Sequence, residues 1–348
     1  MRRALGGIAT GCALVLSCLL ASPAGAITYA PVDQPGPALS IPQAQLEASL
    51  ECTDDVAGAT RTPVLLVHGT GSDPHHSFSW NYMPALTALG VPWCAVELPA
   101  SGMDDIQVAG EYVVNAIRTM HAEAGRRIAV FGHSQGGMLP RWALRFWPET
   151  RAMVEDLVGF APSNHGTDSG AVSCLIPCAP AAWQQRTGSE FIKALNSYQQ
   201  TFPGVSYTVV YTHTDLIVSP NLDDNGRSSL HGGGGEIENV AIQDICPLAV
   251  SEHVGVGTYD PTAYALAIDA LEHPGPADPS RIASSVCTQP AMPGVDPITG
   301  PVNGAAAAAD LLLAFATYPP VPAEPPLRCY VTASCPSQGA SARHILSP

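Results

Sequence analysis

Four apolar residues, Ile128-Ala129-Val130-Phe131, lead directly into Gly132-His133-Ser134-Gln135-Gly136-Gly137, and a helical pattern then runs from Gln135 to Phe146, stopped by Pro148. A short run apolar on both faces suits a central strand of a parallel sheet. A serine between that strand and a helix, inside G-x-S-x-G, sits on a sharp bend that exposes its hydroxyl, and the flanking small residues let strand and helix approach closely. The helix N-terminus behind it offers backbone N–H groups to developing negative charge. Ser134 is therefore the candidate nucleophile, and the chain is committed to a strand–turn–helix unit.

The same texture repeats on both sides. Pro63 to His68, Val91 to Leu98, Leu157 to Phe160, Tyr207 to Tyr211 and Val240 to Ile242 read as further strands, and Arg127 to Phe131 as the strand before the serine. Asn81 to Leu89 and Asp105 to Ala124 read as helices; in the second, Ile106, Ala109, Val113, Ala116, Ile117 and Met120 fall at helical spacing. Strands alternating with helices predict an α/β fold with a mostly parallel central sheet flanked by helices. Residues 27–50, Pro-rich and without a clear period, read as an extended N-terminal arm. Residues 51–348 form one domain, with a loop over 273–304, an apolar helix over Ala305 to Ala316 and a Pro-rich tail.

A serine hydroxyl needs a base, and the base needs an acid to orient it. The expected chain order is Ser, then Asp or Glu, then His. Among the histidines after Ser134, His253 lies in a loop-like stretch beyond the last strand. His273 follows a helical run, His344 is in the tail, and His165 and His213 precede or adjoin the acid. Asp215 follows the strand Tyr207 to Tyr211, at the strand end where ligand sites of open α/β sheets gather. Asp223 and Asp224 read as a solvated turn, and Asp244 at the end of the next strand stays open as an alternative. The oxyanion needs preplaced donors, which the N–H of Gln135 and the His68-Gly69-Thr70-Gly71 loop, through Thr70, would supply.

Composition narrows the partners. The 348-residue chain carries 15 Lys and Arg against 30 Asp and Glu, a net charge of −15, so nucleic acid and anionic membranes are disfavoured. An ester or lipid substrate, with transient contact at a neutral lipid interface, fits, and a monomer is expected. Arg2 and Arg3, the apolar run Ala9 to Leu20 and Ser22 to Ala26 read as a signal peptide (1–26) cleaved after Ala26, hence secretion; anchoring as a lipoprotein through Cys18 is the alternative. Ten cysteines occur, of which Cys12 and Cys18 fall in that segment. The remaining eight read as disulfides. Spacing leaves their connectivity open, although Cys174 and Cys178 suit a local bridge. No metal and no cofactor is required, and His75-His76 and the Asp223 turn read as surface features.

At this point the residues resemble a known family. Thr62 to Val67, Gly69-Thr70-Gly71, Ser134-Gln135-Gly136-Gly137, Phe160-Ala161-Pro162, Trp183-Gln184-Gln185, Thr187-Gly188-Ser189, Thr214-Asp215 with Ile217-Val218, and Cys246 with the His253 loop are similar to the α/β-hydrolase lipases of the Candida antarctica lipase B type. Asn164-His165-Gly166-Thr167 additionally resembles actinobacterial extracellular lipases. The resemblance implies an α/β-hydrolase fold, a Ser134–Asp215–His253 triad, and an oxyanion hole from Thr70 and Gln135. It implies bridges Cys52–Cys94, Cys246–Cys287 and Cys329–Cys335, the last pinning a C-terminal extension (about 301–348), with Cys174–Cys178 as an addition. It also implies Ser77, Gln185 and Ile217 as pocket residues. His133 stands where the family has a tryptophan flooring its alcohol pocket. Cys174 and Cys178 fall in a lid-like segment (about 163–192), which a bridge would stiffen, so little interfacial activation is expected.

The reading is a secreted serine carboxylester hydrolase, a triacylglycerol lipase or esterase. Its rivals are an acyltransferase or polyester depolymerase with the same triad, and a binding protein that keeps the fold without the chemistry.

Overall fold

The computed structural model describes residues 27–169, 174 and 177–335. The expected signal segment, Cys18 and His344 lie outside the described residues. In chain order the helices are α1 (Gln43–Ala48), α2 (Pro74–Phe78), α3 (Tyr82–Ala88), α4 (Ile106–Ala124), α5 (Gln135–Phe146), α6 (Pro180–Gln184), α7 (Glu190–Leu195), α8 (Ile242–Ile245), α9 (His253–Thr258), α10 (Pro261–Glu272) and α11 (Thr299–Thr317). The strands are β1 (Leu50–Cys52), β2 (Val64–Val67), β3 (Trp93–Val96), β4 (Ile128–His133), β5 (Val154–Phe160), β6 (Ser206–Tyr211) and β7 (Glu236–Ala241).

These strands form one sheet in the order β1-β3-β2-β4-β5-β6-β7, with β1 antiparallel to β3 and every other pairing parallel. The continuous apolar runs are explained by two cores, one on each face. Alternate residues of β2 divide between them: Leu65 and Val67 join one core with α4 and α5, whereas Val64 and Leu66 join the other with α3 and α10. Neither face reaches water, so no polar alternation survives in the sequence. Each such fully buried Val or Leu contributes about 1.5–3 kcal/mol.

Three sequence expectations are corrected. The arm over 27–50 is not extended throughout: α1 lies within it, started at Pro42, where the fixed φ suits a helix entrance, with Leu46 buried against the core. The last strand starts earlier than Val240, because β7 is the sheet edge and its first four residues, Glu236 to Asn239, need no apolar run. Asp244 consequently lies in α8, beyond the strand. The C-terminal helix begins at Thr299, six residues before the alanine run, where Asp296 accepts the N–H groups of Ile298 and Thr299.

Four disulfides are present, Cys52–Cys94, Cys174–Cys178, Cys246–Cys287 and Cys329–Cys335. The first joins directly paired residues of β1 and β3. The fourth closes the tail just after Ala30 and Val331 pair their backbones, tying the two ends of the described chain together. Among the described residues no helix is long and apolar enough to cross a membrane.

Candidate active site

The bend after β4 is as tight as the glycines foretell. A Cβ on Gly132 would lie 2.0 Å from the Gly136 carbonyl oxygen, and one on Gly136 would lie 2.1 Å from that of Val67. Ser134 caps α5 at φ 55° and ψ −122°, a conformation L residues rarely adopt, and its N–H is held by the Phe160 carbonyl at 2.8 Å. The cost of that backbone is met by the packing of β2, β4 and α5 on one another, and the side chain is aimed into a cleft lined by Gly69, Thr70, Ser72, Ser77, His133, His253, Val254, Thr258, Ala307 and Leu311.

His253 lines the same cleft from the start of α9. Its Nδ1 lies 2.8 Å from Asp215 Oδ2, and both side chains are buried. Asp215 is itself fixed, its Oδ1 accepting the N–H groups of Ile217 and Val218 at 2.8 Å each. A carboxylate only accepts, so Nδ1 carries the proton and Nε2 keeps its lone pair. Nε2 is buried and has no partner among the described residues. His253 is the first residue of α9, not a loop residue: Glu252 caps that helix, accepting from Val254 and Gly255. The preceding Ser251 carbonyl is held by the hydroxyls of Thr212 and Thr214, from the loop that carries Asp215.

The other candidates are occupied elsewhere. Asp223 accepts the Asn225 N–H in an exposed turn, and Asp244 accepts the Ala241 N–H at the start of α8. His231 donates to the Asp224 carbonyl, His273 pairs with Asp269, and His165 is half-buried near Arg141, where desolvation and that charge lower its pKa to about 4. His75 and His76 pair with Glu51 and Asp73.

Thr70 is braced by a network of polar side chains. Its hydroxyl donates to Gln135 Oε1 at 2.7 Å and accepts from Gln185 Nε2 at 2.9 Å, while Ser163 donates to Gln185 Oε1. Gln185 thus supports Thr70 and does not line the cleft; Ile217 does not line it either, serving Asp215 through its backbone. Ser77 lines the cleft, paired with Ser72 at 2.8 Å. The N–H of Gln135, at the first turn of α5, has no helical acceptor, and that of Thr70 is not spent on another described residue.

Sequence reading missed His68. It is fully buried, accepts the Leu98 N–H at Nε2 (3.0 Å) and donates from Nδ1 to the Gly69 carbonyl (2.8 Å). Burial lowers its pKa to about 4. A neutral imidazole thus ties the Thr70 loop to the end of β3. Gly257 was missed as well, although glycine at alternate positions in Val254-Gly255-Val256-Gly257 hinted at close approach: a Cβ there would lie 2.1 Å from the His133 ring.

Lipase B of Pseudozyma antarctica is 37% identical over 222 residues, 63% of this chain and 64% of that protein. The chain is homologous to lipase B. The aligned part spans just under two thirds of that relative's length. A triacylglycerol lipase of Pseudomonas fragi is 33% identical over 115 residues, 31% of this chain and 37% of that protein. The crystal structure of Aspergillus fumigatus lipase B superposes with a TM-score of 0.78 at 29% identity, covering 85% of this chain and 73% of that one. The architecture shared with that lipase B is the α/β-hydrolase fold. No family model matches the chain.

Proposed function

We propose that this chain is a secreted serine carboxylester hydrolase, a triacylglycerol lipase or esterase that works through an acyl-enzyme on Ser134. One observation carries the reading: His253 presents an unpaired, unprotonated Nε2 to the cleft that holds the Ser134 hydroxyl, while Asp215 fixes its opposite nitrogen. In the proposed reaction Ser134 Oγ bonds to the ester carbonyl carbon as its proton passes to Nε2, and Asp215 stabilises the imidazolium. The N–H groups of Thr70 and Gln135 receive the oxyanion. The carbon–oxygen bond to the alcohol then breaks, and the leaving oxygen takes the proton from His253. Water, deprotonated by the same imidazole, releases the acid. Similarity to lipase B and to the triacylglycerol lipase supports the substrate class, and four disulfides support an oxidising, extracellular setting.

The test is labelling by a fluorophosphonate together with hydrolysis of p-nitrophenyl butyrate and of a triacylglycerol emulsion. The wild type is expected to label and to hydrolyse both; Ser134→Ala is expected to do neither. A folded wild type that refuses the label would leave only a binding protein on this fold.

A further inference from the structure

The ring of His133 crosses the cleft floor between α9 and the Gly69 loop. One edge lies against Gly257, with Nε2 3.0 Å from the His253 carbonyl oxygen. The other edge faces the loop: a Cβ placed on Gly69 would lie 3.6 Å from Nδ1. A carbonyl only accepts, so Nε2 holds the ring proton and Nδ1 presents a bare lone pair. Burial, and then the neighbouring His253, push the His133 pKa down to about 3, so the ring stays neutral through the physiological range.

The other polar side chains around the nucleophile are committed. Thr70 is bound to Gln135 and Gln185, Ser72 and Ser77 to each other, and Thr258 to the Val254 carbonyl. Apart from His253 Nε2, which faces the nucleophile, the lining ring nitrogen with no partner among the described residues is His133 Nδ1. Its location decides which half of a substrate it meets. The leaving alcohol oxygen must come within reach of the nitrogen that protonates it, and the His133 and His253 rings are 4.9 Å apart between centroids. His133 is therefore on the alcohol side of the ester.

We infer that His133 is a specificity-determining residue whose Nδ1 accepts a hydrogen bond from a hydroxyl on the alcohol moiety, so that the site favours esters of diols and polyols, such as partial glycerides, over plain alkyl esters. The inference rests on the ester-hydrolase reading. An acceptor that a bound plain alkyl group covers and leaves unpaired penalises that ester, whereas a substrate hydroxyl satisfies it.

The experiment compares kcat/KM for 2-hydroxyethyl butanoate and propyl butanoate, which are nearly the same shape, in the wild type and in His133→Phe and His133→Leu. Both variants also lose the bond to the His253 carbonyl, but that loss affects both esters alike and cancels in the ratio. The preference for the hydroxylated ester is expected to fall about tenfold in either variant. A ratio unchanged from the wild type would overturn the inference. A second measurement on the wild type alone guards against variants that do not fold: the acyl-enzyme is expected to partition to ethylene glycol in preference to 1-propanol, and the opposite preference would equally overturn it. If the wild type hydrolyses neither ester, the hydrolase reading itself fails, an outcome distinct from equal treatment of the two.

Discussion

Asp215 spends one carboxylate oxygen on two backbone N–H groups and the other on His253, so each of its two oxygens has a defined task. Asp215→Asn would keep the shape but set an amide donor against either the backbone N–H pair or the imidazole N–H. The ring would then flip its proton to Nε2, the nitrogen that must accept from Ser134. We expect kcat on p-nitrophenyl butyrate to fall by about four orders of magnitude, with a much smaller change in KM, the pattern known for the same change in a serine-protease triad. Steady-state kinetics on a preparation with unchanged circular dichroism is the check. That Ser134, Asp215 and His253 could meet was legible in sequence because they follow the apolar runs of β4, β6 and β7 in chain order. The roles of His68, Gln185 and Gly257 were not, because each acts through a contact 30 or more residues away.

At the scale of the element, α9 shows what local pattern could not reveal. His253 stands at its first position, so the helix entrance and the imidazole that Asp215 orients are one structure. Glu252 accepts the N–H groups of Val254 and Gly255, and the Tyr259 hydroxyl donates to it from the end of the helix. Glu252→Ala is expected to cost about 1 kcal/mol of stability, an ordinary N-cap loss, but to lower kcat roughly tenfold or more, since an imidazole displaced by a fraction of an ångström no longer meets the serine. Glu252→Gln, which keeps an acceptor, should recover most of the rate. Thermal melts beside kinetics separate the two effects; an unchanged kcat in Glu252→Ala would leave Glu252 as an ordinary helix cap. The nucleophile helix was easier to read. Yet α5 buries Arg141 and Arg145 among carbonyl and amide oxygens of Gln200, Asn164, Asn196 and Ala30, an arrangement its sequence did not announce. Burial drops both guanidinium groups to about 10, still charged at neutral pH.

For the molecule as a whole, buried titratable groups give stability two opposing pH slopes. His68 has a folded pKa of about 4 against 6.5 for the unfolded chain. Below pH 6.5 the unfolded chain takes up a proton that the folded one refuses, so this contribution is complete above 6.5 and lost as pH falls toward 4. Asp156 runs the other way: burial, with Glu155 beside it, raises its carboxyl to about 8 from 3.8. The folded state holds the proton longer there, so stability is lost as pH rises from 3.8 to 8. Melting temperatures from pH 4 to 9 should show Asp156→Asn gaining on the wild type as pH rises and levelling off above 8, while His68→Gln flattens the acid limb. Parallel wild-type and variant curves would refute the assignment.

The sequence by itself determined the layered α/β architecture, since runs apolar on both faces can be buried only between two helical layers, and it determined the sharp bend at Ser134, since a strand, a glycine-flanked serine and a helix in succession admit one bend. Local pattern carries that much because it reflects local geometry. The tertiary structure alone decided which imidazole nitrogen is bare, which amides brace Thr70, and that the edge strand β7 is half polar. Those outcomes depend on which surfaces meet after the chain has closed, and no spacing along it encodes the distance between His133 and the carbonyl of His253.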